Sequence, residues 1–203
     1  PASKPILKYA MKNDRSKLYS YKMTDDSGFA PNPYHGILTL ATCKPRMRHN
    51  TQVGNWVAGF TSARCGNTPV GREKLIYLMK VTEKLTFDEY WEQHPEKHND
   101  PEANHDDPHW CGDNVYRPLG NGEYEQMKND HHDEKNKAHD LGSKQVLLSE
   151  EFYYFGKDNA LELPSEIRPN VPKVQSSYGM ITYDIEALIE YVRQQQPKLS
   201  AKR

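Results

Sequence analysis

Four strand-length runs follow one another between Lys17 and Thr82, and no helix fits between them. They are residues 17–24, 36–43, 53–60 and 74–82. Parallel neighbours in a doubly wound sheet require long crossovers, usually helical. Short polar loops at these three junctions therefore point to a mostly antiparallel sheet. The fourth run, Lys74 to Thr82, is apolar on both faces through its middle, which is the pattern of a central strand.

Two helices flank this frame. Thr86 is a suitable N-cap with Glu89 three residues on, and Phe87, Tyr90 and Trp91 fall on one face. A second helix spans residues 184–196, opened by the acid Asp184 and closed by Pro197, with Ile185, Leu188, Ile189 and Val192 on its apolar side. Residues 144–149 and 151–156 add a strand pair, or a strand meeting a turn at Gly156, and residues 161–178 read as connection. Strands, a short helix, more strands and a terminal helix make an α+β class chain around a curved, mostly antiparallel sheet.

From Pro95 to about Lys144 the character changes. Aliphatic side chains almost disappear, and seven of the nine histidines lie between His94 and His139. With so little apolar area to offset chain entropy, order in this insertion must come from docking, a ligand or a metal. The expected organisation is a loose arm at 1–16, one α+β domain at 17–196 with a polar insertion at 95–144, and a basic tail at 197–203.

The 203 residues include 27 Lys and Arg against 28 Asp and Glu, a formal charge of −1. That balance lacks the electrostatic footprint of a generic nucleic-acid binder. No apolar run reaches membrane-span length, no charged-then-apolar leader is present, and three cysteines make no paired framework. These features predict a cytoplasmic, reducing setting with no membrane partner. Glycine-rich phosphate loops, dinucleotide fingerprints, nucleophile elbows and His-Glu-x-x-His are all missing, which removes the commonest readings for NTPases, dehydrogenases, hydrolases and metalloproteases.

Several groups remain as candidates for chemistry. Cys43 closes a strand beside Lys44, Arg46, Arg48 and His49, and cationic neighbours favour a nucleophilic thiolate. The same side chain also reads as a small apolar filler. Lys44, Arg46 and Arg48 could hold a phosphate, or simply form a solvated turn. The pairs His132 with Asp133 and His139 with Asp140 are acid/base or orienting candidates. His94/His98 and His105/His109 have a zinc-like spacing, but Pro95 and Pro108 break the phasing and no Cys-x-x-Cys accompanies them, so no metal and no cofactor is expected. Asn32 lies in the proline-stiffened loop 25–33. Asp113, Asn114 and Tyr116 could read a base edge or form an Asx turn, and Trp56, Tyr153 and Phe155 could stack on a base or pack in the core.

Together, residues 26–33, 38–45 with Arg48, 54–60, 112–116 and 146–156 resemble the nucleotide modification associated domain 2 family. In one departure, Asn55 stands where the Gly-Asp-Trp pattern would carry an acid. A weaker resemblance over residues 53–90 is to PUA-like folds such as the YTH, ASCH and EVE domains, and implies a small curved β-barrel. The resemblance implies a domain that recognises a nucleobase or nucleotide, with a modified base in free or nucleic-acid form as partner. An enzyme that modifies a nucleotide through Cys43 or a His/Asp pair is the alternative, and a partner-docking protein a third.

Overall fold

The computed structural model describes residues 16–174, 178–181 and 185–195. The expected loose arm and basic tail, and the acidic cap Asp184, lie outside the described residues. The first strand, β1 (Leu18–Lys22), sits inside a five-stranded sheet ordered β10-β1-β3-β4-β9. Its partners are β3 (Trp56–Phe60), β4 (Leu75–Lys80), β9 (Glu151–Tyr154) and β10 (Tyr178–Ile181). All neighbours run antiparallel except β1 and β3, which pair in parallel from Leu18↔Trp56 to Lys22↔Phe60. A second sheet holds β2 (Leu38–Leu40), β8 (Gln145–Ser149) and β5 (Glu83–Thr86) in the order β2-β8-β5, and β6 (Tyr116–Pro118) pairs with β7 (Tyr124–Gln126) in a hairpin.

The two larger sheets share their chain. Strands β4 and β5 are separated only by Val81 and Thr82, and β8 and β9 only by Glu150, so each run leaves one sheet and enters the other. Residues 144–156 are therefore not a hairpin pair: β8 bonds to β2 and β5, while β9 bonds to β4. The fold is α+β with mixed sheets, and among the described residues none closes into a barrel. The barrel implied by the PUA-like resemblance is corrected accordingly. The period-2 pattern specifies which face each strand buries but not whether the end strands of a sheet meet.

In β1 and β3 that period divides the core, and in β4 a register shift opposite Gly59/Phe60 interrupts it, so that Ile76 joins Met79 and Leu75 joins Leu78. Tyr19, Tyr21, Val57, Ile76 and Met79 face one way with Leu38, Leu40, Met47 and Leu147. Leu18, Trp56, Ala58, Phe60, Leu75 and Leu78 face the other way, and α4 (Glu186–Gln194) covers them with Leu188 and Val192. Ile189 packs on the same cluster, as the helical pattern predicts. A third cluster lies under α2 (Phe87–Gln93), around Phe87, Tyr90, Cys111, Val115 and Tyr116. The expected capping box is present: Thr86 accepts from the Glu89 amide at 3.2 Å, and Glu89 accepts from the Thr86 amide at 2.7 Å. Phe87 and Tyr90 are buried, whereas Trp91 is half-buried and stacks on His98 at 4.0 Å.

Two helices were not foreseen. The cationic segment after Cys43 forms α1 (Pro45–Asn50), with proline at its first position where no intrahelical donor is needed. In the insertion, Asp133 caps α3 (Glu134–Asp140) in a reciprocal box with Asn136. No helix among the described residues is long and apolar enough to cross a membrane.

The insertion is ordered by buried polar contacts. Lys97 is fully buried, and its ammonium donates to Asn32 Oδ1 (2.6 Å) and to the carbonyls of Tyr34 and Ile37 (both 2.7 Å). Asp113, also fully buried, accepts from Tyr90 (2.6 Å), Thr39 (2.9 Å) and the Ala41 amide (3.3 Å). Asn114 donates to the Tyr90 and His94 carbonyls. Gly112 is required here, because a Cβ would stand 2.5 Å from the His98 carbonyl oxygen.

Candidate active site

The loop leaving β2 carries two consecutive residues in the left-handed region, Cys43 at φ 60° and Lys44 at φ 41°, directly before α1. For residues with a Cβ this conformation is strained and persists only where the surroundings impose it. Here the Cys43 amide donates to Asp140 Oδ1 at 2.8 Å, and the Cys43 carbonyl accepts from Arg48 Nε at 2.8 Å. The backbone of the cysteine is thus held on both sides, by an acid from α3 and a base from α1.

Its side chain meets a histidine. Cys43 Sγ lies 3.7 Å from His132 Nε2, and His132 Nδ1 donates to Asp140 Oδ2 at 2.5 Å. Asp140 Oδ2 also accepts from the Tyr116 hydroxyl at 2.8 Å. Sulfur, imidazole and carboxylate therefore form a continuous chain, with the carboxylate fixing the tautomer that presents Nε2 to the sulfur. A thiol, an imidazole and a carboxylate in this order can support nucleophilic chemistry, with the imidazole as base and the carboxylate as its orienting group. Asp140 is fully buried and Cys43 half-buried at the pocket surface.

Electrostatics follow the geometry. Burial disfavours the charged form of His132, but the bonds to Asp140 and Cys43 outweigh it and push the imidazole pKa up to about 10. Burial likewise opposes ionisation of Asp140, yet His132 and the Cys43 amide hold the carboxyl below its ordinary value. Burial pushes the Cys65 thiol up to about 11 and raises that of Cys111. All three are free.

Arg48 organises the site from below. It is fully buried, lies 5.7 Å from the Phe87 ring centroid, and donates to the carbonyls of Cys43, Gln145 and Asp140. Burial lowers its pKa to about 10 despite the Asp140 charge. The side chain is directed into the protein rather than toward a phosphate.

Above the triad opens a pocket of about 1040 Å³. Its lining comes from the 21–30 segment, from residues 43–47, from Asp130, His131, His132 and His139, and from Tyr178. Phe29 stacks on His131 at 4.6 Å and meets His132 edge-on at 5.1 Å. His131 Nε2 donates to the Trp110 carbonyl at 3.1 Å, which leaves Nδ1 as the acceptor facing the Ser27 hydroxyl at 3.4 Å. Burial lowers the His131 pKa, so two adjacent histidines are driven in opposite directions.

Of the residues singled out from sequence, Cys43, His132 and Asp140 come together, and Lys44, Arg46 and His139 line the same pocket. Asp133 does not, since it caps α3. Asn32, Asp113 and Asn114 are buried in the network that docks the insertion, and Tyr116 reaches the site only through Asp140. Trp56, Tyr153 and Phe155 pack under α4, away from the pocket. Asn55 accepts from the Lys17 amide at the start of β3. His131, which adjoins the His132–Asp133 candidates in sequence, also lines the pocket, while Phe29 and Tyr21 were missed; the sequence signal was their placement in the proline-stiffened loop and on the first strand.

The histidine pairs considered for zinc serve other contacts. His94 bonds Glu96, His98 stacks on Trp91, His105 stacks on Trp110, and His109 bonds Asp107. No group of three or more metal-ligating side chains is assembled among the described residues.

The family model for nucleotide modification associated domain 2 matches residues 15–202. The chain belongs to this family. The match takes in every element of the fold and all of the site, so this family's domain and the triad-bearing unit are the same stretch of chain. Neither a curated protein nor a solved structure matches it.

Proposed function

We propose that this chain is a thiol-dependent enzyme of nucleotide modification, with Cys43 as nucleophile, His132 as acid/base and Asp140 as the group that orients the imidazole. The observation that carries the reading is the unbroken Cys43–His132–Asp140 chain opening into the pocket. Membership of a family named for nucleotide modification supports the substrate class.

The thiolate attacks an electrophilic carbon of the nucleotide or of a group being removed from it, forming a C–S bond. His132 Nε2–H delivers its proton to the departing amine or alkoxide. Neutral His132 then takes a proton from the incoming water or amine, the C–S bond breaks, and sulfur leaves as thiolate. Asp140 keeps Nδ1–H engaged throughout and stabilises the imidazolium. Tyr116 and Arg48 position the orienting acid and the cysteine backbone.

A purely recognising domain draws less support. The aromatic side chains expected to stack on a base are in the core beneath α4, and a binder has no need of a cysteine in contact with a carboxylate-bound histidine.

The test is iodoacetamide labelling of the intact protein near pH 6, resolved by cysteine-containing peptide, followed by incubation with a nucleotide panel. Cys43 should label at least about 100-fold faster than Cys65 and Cys111, since reactivity follows thiolate content and exposure. His132→Gln should slow it at least about tenfold, and any turnover should vanish in Cys43→Ala. Labelling of Cys43 at the rate of a buried thiol, or indifference to His132→Gln, would sink the proposal.

A further inference from the structure

We propose that Tyr21 is a further catalytic residue of this site: its hydroxyl donates a hydrogen bond to the oxygen of a substrate carbonyl whose carbon Cys43 attacks, and Tyr77 positions that hydroxyl. The substrate is thereby an amide or ester carried by the nucleotide, which rests on the thiol chemistry proposed above.

The first observation is a proton count. The Tyr21 and Tyr77 hydroxyls lie 2.9 Å apart, and among the described residues neither hydroxyl has another hydrogen-bond partner. Burial raises both phenol pKa values, so both hydroxyls keep their protons at neutral pH. Two protons thus serve one hydrogen bond, and one is left over. Tyr77 is fully buried and absent from the pocket lining, whereas Tyr21 lines the pocket together with Cys43. If Tyr21 donated, the Tyr77 proton would be stranded in the core, which is the costlier arrangement. Tyr77 therefore donates to Tyr21, and the Tyr21 proton is left for what the pocket holds.

The second observation is how the pair is built. Tyr21 on β1 and Tyr77 on β4 are both register partners of Gly59 on β3, which runs between them. Strands two apart in a sheet are separated by roughly 10 Å, so the hydroxyls meet only because the side chains lean over the middle strand. A Cβ on Gly59 would stand 2.2 Å from Tyr77 Cε1 and 2.6 Å from Cδ1. Glycine at this position leaves open the room that the Tyr77 ring occupies.

Third, two backbone positions beside the sulfur are closed to this role. The Cys43 amide donates to Asp140 Oδ1 at 2.8 Å, and Pro45 has no N–H. A carbonyl attacked by sulfur develops negative charge on its oxygen, and donors aimed at that oxygen are usually the largest source of stabilisation. The Tyr21 hydroxyl supplies such a donor from a side chain. Attack forms the C–S bond and moves the C=O π pair onto oxygen, which the Tyr21 O–H stabilises while keeping its proton. Collapse restores the C=O bond and expels the amine or alkoxide, which takes its proton from His132 Nε2–H.

The experiment compares two reactions of Cys43 in the full chain. One is acylation by p-nitrophenyl acetate, read as p-nitrophenolate release and as the acetylated Cys43 peptide; the other is alkylation by iodoacetamide. Acylation passes through an oxyanion and alkylation does not, and p-nitrophenolate leaves without needing a proton from His132. The ratio of acylation to alkylation rates should fall at least about tenfold in Tyr21→Phe. The double variant Tyr21→Phe/Tyr77→Phe leaves no orphaned hydroxyl in the core and should show the same fall. Tyr77→Phe alone should lower the ratio a few-fold. An unchanged ratio in Tyr21→Phe, a wild-type ratio in the double variant, or no acylation of Cys43 in wild type would overturn the inference. Alkylation of wild type against His132→Gln reports separately on the thiol. With that contrast intact, a ratio indifferent to Tyr21 removes the carbonyl donor and leaves the nucleophile standing.

Discussion

The five-stranded sheet and the polar insertion at 95–144 solve the same problem by opposite means. The sheet is ordered by apolar burial: Val57, Ala58, Leu75, Ile76 and Leu78 are fully buried on its two faces. The insertion has few such side chains and is ordered by hydrogen bonds to buried charges, with Lys97, Asp113 and Asp140 each fully buried. The difference teaches where the candidate site is placed. Apolar burial is non-directional and tolerates rearrangement, whereas a buried charge is stable only in the geometry that satisfies it. The insertion that is expensive to order is the one that brings His132 and Asp140 to Cys43.

If this contrast holds, perturbing the two regions should have different consequences. The largest loss is expected from Lys97→Ala, which strands the carbonyls of Tyr34 and Ile37 and the Asn32 side chain. Breaking such a site should lower stability by about 3–5 kcal/mol, and Cys43 labelling should fall with it because the docking of the insertion is compromised. Urea unfolding and labelling on the same sample measure both. A stability loss that leaves labelling at the wild-type rate would separate the insertion's docking from the site.

Next is Leu78→Ala in the centre of the sheet, which should cost about 3 kcal/mol, within the range for buried leucine truncations. Labelling of Cys43 below the unfolding transition should be unchanged, because the cavity lies under α4 and not beside the triad.

Smaller still, Tyr116→Phe removes one of the bonds to Asp140 Oδ2. We expect about 1 kcal/mol of stability lost and a Cys43 labelling rate reduced a few-fold, with the His132 bond retained. A variant that labels like His132→Gln would give Tyr116 a larger share in orienting the acid than the geometry implies.

The last comparison is a pH dependence. His132 is raised from 6.5 to about 10 in the folded protein, so its stabilising contribution is complete below pH 6.5 and is lost as pH rises through about 10. Asp140, held below its ordinary 3.8, contributes above that pH and loses its contribution as acid protonates it. The stability advantage of wild type over His132→Gln should therefore shrink between pH 6.5 and 10. A gap that stays constant over that interval would show that the His132–Asp140 pair is not ionised.

Much of the framework was readable in one dimension. The positions of β1, β3, β4 and α2, the Thr86 capping box and the buried stripe of α4 follow from periodicities and local cap chemistry that act over a few residues. Cys43, His132 and Asp140 were each visible as reactive residue types. What no local pattern contains is their meeting, across 89 residues from Cys43 to His132 and 97 from Cys43 to Asp140. The inward turn of Arg48, the burial of Asp113 and Asn114, the placement of Trp56, Tyr153 and Phe155 under α4, and, among the described residues, the open edges of the sheets are likewise decided by packing. Residue type limits the contacts a side chain can satisfy. Which contacts it makes depends on partners distant in sequence, and for a buried charge those partners are the whole of its energetic justification.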